Sequence, residues 1–377
     1  MTYLDYNSTT PALPEVVEAM NLFHTDKWHN SSSVYKEASA AQDAIKLAQE
    51  QCAALVTCKP NEIIFTSGAT EANNLALLGY ARNFYKRTGS FGNIITLKTE
   101  HHAVLEPIGQ LEKEGFSFTQ ITPYENGLID KQMLLNAIKK DTFLVSIMLA
   151  NNEIGVIQPL EDLAQICKSK KIIFHTDAAQ CIGYITPNSF CTLANMITLS
   201  SHKMYGPKGV GLLIIDDFLD IEPLFFGGGQ EFGLRSGTIP LPLIVGFAKA
   251  LELAVDNTQK NVSKLSLLRN KLLDGVLAVN HKFLVNGSMN NRLPHNLNIT
   301  FLDLSGSKLH KELKSKIICS SGSACSNGRP SHVLMALGRS FEESEASIRF
   351  SLGLQTTNAD INNSIKIINS VVNSLKK

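Results

Sequence analysis

The chain has 377 residues, 44% of them hydrophobic and 18% charged, with a net charge of +1. That length exceeds what one hydrophobic core usually organises, and the composition is that of a folded globular protein. The near-zero charge gives no reason to expect a nucleic-acid or membrane surface, and no stretch reaches the roughly 20 apolar residues of a spanning helix.

Met1 to Pro11 carries no apolar signal core and runs directly into structured-looking sequence, so a cytoplasmic protein is expected. Ile63–Thr66 is predicted to be a strand, followed by a helix from about Glu71 to Lys86. Further strands are predicted at Ile94–Leu97, Leu144–Leu149, Ile172–Thr176, Ile197–Ser200 and Gly209–Ile215. Short apolar runs separated by helices read as parallel strands covered on both faces, which gives the α/β class with a mainly parallel sheet. From Leu241 to Val279 the pattern is helical with a break near Asp256–Thr258. Beyond it come strands at Leu297–Phe301, Ile317–Ser320 and Ile348–Ser351, and helices at Lys308–Lys314 and Ala359–Leu375. The expected division is a large domain over residues 12–255, and a small α+β domain made of 256–377 with the N-terminal segment 1–11.

The seven cysteines are scattered, with no Cys-x-x-Cys pair. An odd number without framework spacing suits a reducing compartment. Six of them read as small buried residues. Cys325 does not, because Ser320-Ser321-Gly322-Ser323-Ala324-Cys325-Ser326-Asn327-Gly328 offers small residues suited to a loop and little apolar sequence to bury a thiol.

Three segments carry candidate chemistry. Thr66-Ser67-Gly68-Ala69-Thr70-Glu71 lies between a strand and a helix, where free amides and the helix dipole favour an anion. An ordinary N-cap explains it equally well. Asp177 ends a predicted buried strand, at the crevice edge where open α/β sheets bind ligands. There it suits the ring nitrogen of a pyridine cofactor, or again a helix cap. Lys203 follows another strand between Ser200, His202 and Tyr205, a place for a Schiff-base lysine as well as for a solvated one. An anion nest, a strand-end acid and a strand-end lysine together describe a cofactor cradle.

At this point the sequence resembles a known family, the class I (NifS/IscS-like) cysteine desulfurases, which are pyridoxal-phosphate enzymes of the aspartate-aminotransferase fold. The resemblance runs from Tyr3-Leu4-Asp5-Tyr6-Asn7-Ser8-Thr9-Thr10-Pro11 to Ser347-Ile348-Arg349-Phe350-Ser351-Leu352-Gly353. Between them lie Thr99-Glu100-His101, Asn151-Asn152-Glu153-Ile154-Gly155, Arg235-Ser236-Gly237-Thr238 and the Cys325 segment. The resemblance implies pyridoxal 5'-phosphate bound through Lys203, with Asp177 at the ring nitrogen, Gln180 at the ring oxygen and His101 stacked on the ring and moving protons. It implies Ala69, Thr70, Ser200 and His202 around the cofactor phosphate. Thr238 is implied to reach the phosphate of a neighbouring subunit, and hence a homodimer. Asn152 and Arg349 are implied to hold the substrate carboxylate, a task that suits a guanidinium.

The implied reaction turns L-cysteine into L-alanine and leaves its sulfur on Cys325 as a persulfide, for an acceptor protein such as an iron–sulfur scaffold. No metal site is expected: the adjacent His101 and His102 have no partner ligands at useful spacing. Two local features depart from the family pattern. Asn30-Ser31-Ser32-Ser33 lacks the usual proline and the histidine that follows it, and Arg329-Pro330-Ser331 comes early after Cys325. The sequence also ends at Lys377 without the extension by which housekeeping members dock their scaffold, which leaves the acceptor open. The rivals are a selenocysteine lyase or aminotransferase on the same fold, and a non-catalytic dimer. Cys325 argues against transamination, and the presence of Lys203, Asp177 and Cys325 together argues against a non-catalytic chain.

Overall fold

The computed structural model describes residues 1–217, 219–321 and 330–376. In chain order its strands are β1 Thr2–Tyr3, β2 Ile63–Thr66, β3 Asn93–Leu97, β4 Ser117–Ile121, β5 Thr142–Ser146, β6 Ile173–Asp177 and β7 Met196–Ser200. Then follow β8 Gly211–Ile215, β9 Phe283–Val285, β10 Asn296–Phe301, β11 Ile317–Ile318, β12 Ser320–Ser321 and β13 Ser347–Ser351. Seven of them form one sheet in the order β2-β8-β7-β6-β5-β3-β4. Helices cover both faces. Phe174, Leu199 and Phe247 belong to the core on one side, and Ile64, Leu75, Ile94 and Leu144 to that on the other.

The sheet is mainly parallel, as expected, but not throughout. The pairings from β4 through β3, β5 and β6 to β7 are parallel, whereas β8 lies antiparallel between β2 and β7. This corrects the expectation for Ile63–Thr66 and Gly209–Ile215. Residues 201–210 join β7 to β8, too short a connection for the crossover of about a dozen residues that a parallel pair requires. The apolar pattern could not reveal it: β2, β7 and β8 are buried along their whole length, and a run buried on both faces carries no sign of direction.

The helix after β2 occupies Ala69–Asn74, Leu75–Gly79 and Tyr80–Thr88 without a break, its middle turn wound as a π-helix. It begins at Gly68, whose φ of +153° is strained for any residue with a Cβ. Gly211 at the start of β8 packs against it so closely that an added Cβ would lie 2.6 Å from the Gly68 Cα. Gly68, in the turn after β2, and Gly211, at the start of the neighbouring β8, thus bring this turn against the sheet.

The predicted helical stretch breaks at Asn257, between Leu241–Asp256 and Thr258–Leu277. A four-stranded antiparallel sheet of order β12-β13-β10-β9 follows. The single strand expected over Ile317–Ser320 is instead two, parted at Cys319: β11 pairs in parallel with β1, and β12 joins β13. The N-terminal segment accounts for the split. Leu4 donates its N–H to the Ile318 carbonyl and Tyr6 to that of Ser351, so residues 2–6 are threaded beside β11 and β13. Asp5 and Asn7 are thereby delivered to the cavity described next.

Candidate active site

A cavity of about 680 Å³ opens where the loops after β2, β6 and β7 meet the N-terminal segment and β13. It brings together Ala69, Thr70, His101, Asn152, Asp177, Gln180, Ser200, His202, Lys203 and Arg349, all singled out from sequence. Two residues singled out with them are not among these. Thr238 is exposed and does not line the cavity of its own chain. Cys325 lies outside the described residues.

Asp177 is the last residue of β6 and is buried. Its Oδ2 accepts from Asn73 Nδ2 at 2.7 Å and its Oδ1 from the Ala179 N–H at 2.9 Å. Two donors hold the carboxylate in place and leave further lone pairs for a protonated nitrogen. Lys203 ends a short 3-10 turn, Ser201–Lys203, directly after β7. Its Nζ donates to the Asn7 and Ser8 carbonyls at 2.6 Å each, which seats the amine on the cavity wall.

The end of the cavity beside the helix start holds an uncommitted polar atom. Ser200 Oγ is buried and makes no hydrogen bond among the described residues. Such an orphan is costly unless a ligand completes it. The turn at Gly68, Ala69 and Thr70 presents the start of a long helix to the same space. His202 sits beside them with Nδ1 3.1 Å from Thr9 Oγ1. Burial pushes its pKa down to about 4, helped by the cations Lys203 and Lys208, so its ring is neutral at pH 7.

His101 caps the helix His102–Glu114: its Nδ1 accepts the Ala103 N–H at 3.1 Å. In the neutral ring the proton therefore resides on Nε2. Its pKa is lowered, first by desolvation and then by Lys203, His102 and His332, with Asp177 acting against them. Glu100 behind it is fully buried, accepts the Met148 N–H at 2.7 Å, and is held well above the usual carboxyl range by that burial. Among the described residues no group of three or more side chains is arranged to hold a metal ion.

At the opposite end Arg349 projects from β13 and is 6% exposed. Its Nη1 donates to the Asn152 carbonyl at 3.1 Å and its Nη2 to Asp5 Oδ1 at 2.7 Å, while Nε is buried without a partner. Arg349 is thus in a buried ion pair with Asp5 inside the cavity. Asn152 is held by its neighbour Asn151, whose Oδ1 accepts the Glu153 and Ile154 N–H groups. Sequence reasoning assigned no role to Asp5, Asn7 or Asn73. The first two lie in the motif that opens the resemblance, so a signal was available for them; nothing local marks Asn73.

The residues present fit a phosphate-bearing pyridine aldehyde. There is an amine for the carbonyl, a positioned carboxylate for the ring nitrogen, and an orphaned hydroxyl with a helix start for the phosphate. Fold and cavity together define a pyridoxal-phosphate-dependent transferase of fold type I. The model of the aminotransferase class-V family matches residues 2–363. A cysteine desulfurase IscS of Vibrio cholerae is 43% identical over 99% of this chain and 93% of its own length. One from Dictyoglomus turgidum is 42% identical over 99% and 95%. Among solved structures a NifS-like protein superposes with a TM-score of 0.92 at 36% identity, covering 99% of this chain and all of its own. SspA in complex with cysteine gives 0.82 at 37%, over 93% and 99%. The chain belongs to the aminotransferase class-V family and, within it, to the NifS/IscS-like cysteine desulfurases.

Proposed function

We propose that the cavity performs the desulfurase reaction through the residues gathered in it. The chain is a pyridoxal-phosphate enzyme that converts L-cysteine to L-alanine and transfers the sulfur as a persulfide. The observation that carries the assignment of roles is the placing of Lys203, Asp177 and the orphaned Ser200 hydroxyl around one cavity, with Arg349 across it.

When bound, the cofactor supplies an electron sink that makes the Cα proton and the Cβ–S bond of the amino acid labile. The protein does the rest. Lys203 holds the cofactor, then serves as a free amine placed to take the Cα proton. Asp177 favours the protonated ring nitrogen, and Thr70, Ser200 and His202 fix the phosphate beside Ala69. Arg349 and Asn152 orient the substrate carboxylate. His101 stacks on the ring and relays a proton through its Nε2 face. The cysteine Cβ–S bond breaks, an S–S bond forms at Cys325, and the proton of the Cys325 thiol is balanced at Cβ of the alanine. The sum is L-cysteine and a thiol giving L-alanine and a persulfide.

The proposal includes a cytoplasmic homodimer that passes its sulfur to an acceptor protein, with iron–sulfur assembly the leading destination. Thr238, exposed and not lining its own cavity, supports a contribution to a partner's site. The six cysteines among the described residues are free thiols, which suits a reducing compartment. The residue assignment is tested with Lys203→Ala. The purified variant should lack the visible Schiff-base absorption of the parent and form no alanine from L-cysteine. An unchanged absorption band in that variant would refute the assignment.

A further inference from the structure

Asn7 lines the cavity, is 1% exposed and has every polar atom engaged. Its N–H donates to Ser351 Oγ at 2.8 Å. Its carbonyl accepts from Lys203 Nζ at 2.6 Å and from Gln180 Nε2 at 3.1 Å. Its side-chain Nδ2 donates to Gln180 Oε1 at 2.8 Å and lies 3.0 Å from His295 Nε2. Its Oδ1 accepts from Asn296 Nδ2 at 2.9 Å.

These contacts admit one arrangement of donors and acceptors. A main-chain carbonyl only accepts, so the part of Gln180 that faces the Asn7 carbonyl must be the amide nitrogen. Gln180 Oε1 then needs a donor, which orients the Asn7 amide with Nδ2 towards it. The second Nδ2 hydrogen falls on His295 Nε2, which must accept it and must therefore be unprotonated. Burial supplies that condition: His295 is 1% exposed, stacks on Tyr184 at 3.9 Å between ring centres, and its pKa is pushed down to about 3. Gln180 spends one N–H on Asn7 and lines the cavity with the other to offer.

We propose that Asn7 is a positioning residue, which locks the Gln180 amide so that an N–H, and not its oxygen, meets the cofactor's ring oxygen. The inference rests on reading the cavity as the pyridoxal-phosphate site. An oxygen of partial or full negative charge requires a donor there, and Gln180 alone could offer either end of its amide. The Asn7 carbonyl selects the Gln180 amide nitrogen, and the Asn7 side chain holds the amide oxygen through the shorter contact; replacing the side chain removes that second hold and leaves only the main-chain one. Because its carbonyl also receives Lys203, one residue sets the polarity at the ring oxygen and seats the amine that holds the ring.

The test compares the wild-type holoprotein with Asn7→Ala, Asn7→Asp, Gln180→Ala and the Asn7→Ala/Gln180→Ala double variant. The readouts are the pH midpoint of the visible Schiff-base band and the dissociation constant for pyridoxal phosphate added to the apoprotein. Asn7→Ala should move the midpoint and weaken the cofactor roughly tenfold, the effect of one lost charge-assisted hydrogen bond. Asn7→Asp, which keeps the shape but removes the donor, should follow it and carries the test if Asn7→Ala does not fold. The double variant should look like Gln180→Ala alone, since Asn7 acts through Gln180. Wild-type midpoint and affinity in both Asn7 variants, or additive effects in the double variant, would overturn the proposal. A wild-type holoprotein without the visible band would bring down the functional reading and this inference with it; a band indifferent to residue 7 would bring down only the latter.

Discussion

At one end of the cavity the buried Ser200 hydroxyl has no hydrogen-bond partner among the described residues; at the other, Arg349 already spends one nitrogen on Asp5 and another on the Asn152 carbonyl. The first end is assembled from loops at the edge of a single sheet. The second combines residues 5, 152 and 349, which meet only because the N-terminal segment is threaded beside β13. The contrast separates two ways of binding an anion. A resident group that stays through every turnover is met by a preformed site, whose orphaned groups are satisfied once the group is in place. On the proposed assignment, a substrate that comes and goes is met by an arginine kept in order by an internal carboxylate, which the incoming carboxylate must share or displace. That exchange keeps a buried guanidinium from standing uncompensated between turnovers.

Substitutions at the two ends should therefore fail in different ways. The larger effect is expected from Arg349→Lys, which loses the planar fork and the contacts to Asp5 and the Asn152 carbonyl. Steady-state kinetics should show KM for L-cysteine raised by roughly tenfold or more, while the absorption of bound cofactor is unchanged. Loss of cofactor from that variant would break the separation of the two ends. A smaller effect is expected from Ser200→Ala. Titration of the apoprotein with pyridoxal phosphate should give an affinity several-fold weaker, as for one hydrogen bond to a charged group, with KM for cysteine preserved. Thermal unfolding of the apoprotein should be undiminished, because the hydroxyl removed has no protein partner to lose. A marked drop in apoprotein stability would mean that Ser200 serves the fold and not a ligand.

The same contrast governs what the sequence could disclose. Asp177, Ser200 and Lys203 stand at or just beyond the ends of apolar strands, so a local pattern marked them, and the family motifs supplied their roles. Arg349 was marked by the family motif alone, and its bond to Asp5 depends on the course of residues 2–6 and left no local trace. Asn73 lies on the inward face of a buried helix, where an asparagine reads as an oddity until Asp177 is seen above it. The antiparallel course of β8 was hidden for a similar reason, since burial on both faces erases the alternation that would report its setting. Strand β4 escaped notice because Ser117–Ile121 is a half-exposed edge with little apolar content. What the chain writes locally could be read; what depends on distant segments meeting could not.

The central claim is that sulfur leaves cysteine in this cavity and arrives on one particular thiol. It is tested most directly by incubating the holoprotein with L-cysteine, quantifying alanine, and mapping the cysteine-containing peptides by mass. The account predicts alanine equal to the sulfur transferred, one additional sulfur on the peptide carrying Cys325, and neither in Cys325→Ala without an added reductant. Sulfur found on another of the seven cysteines, or full alanine and sulfide release by Cys325→Ala, would contradict it.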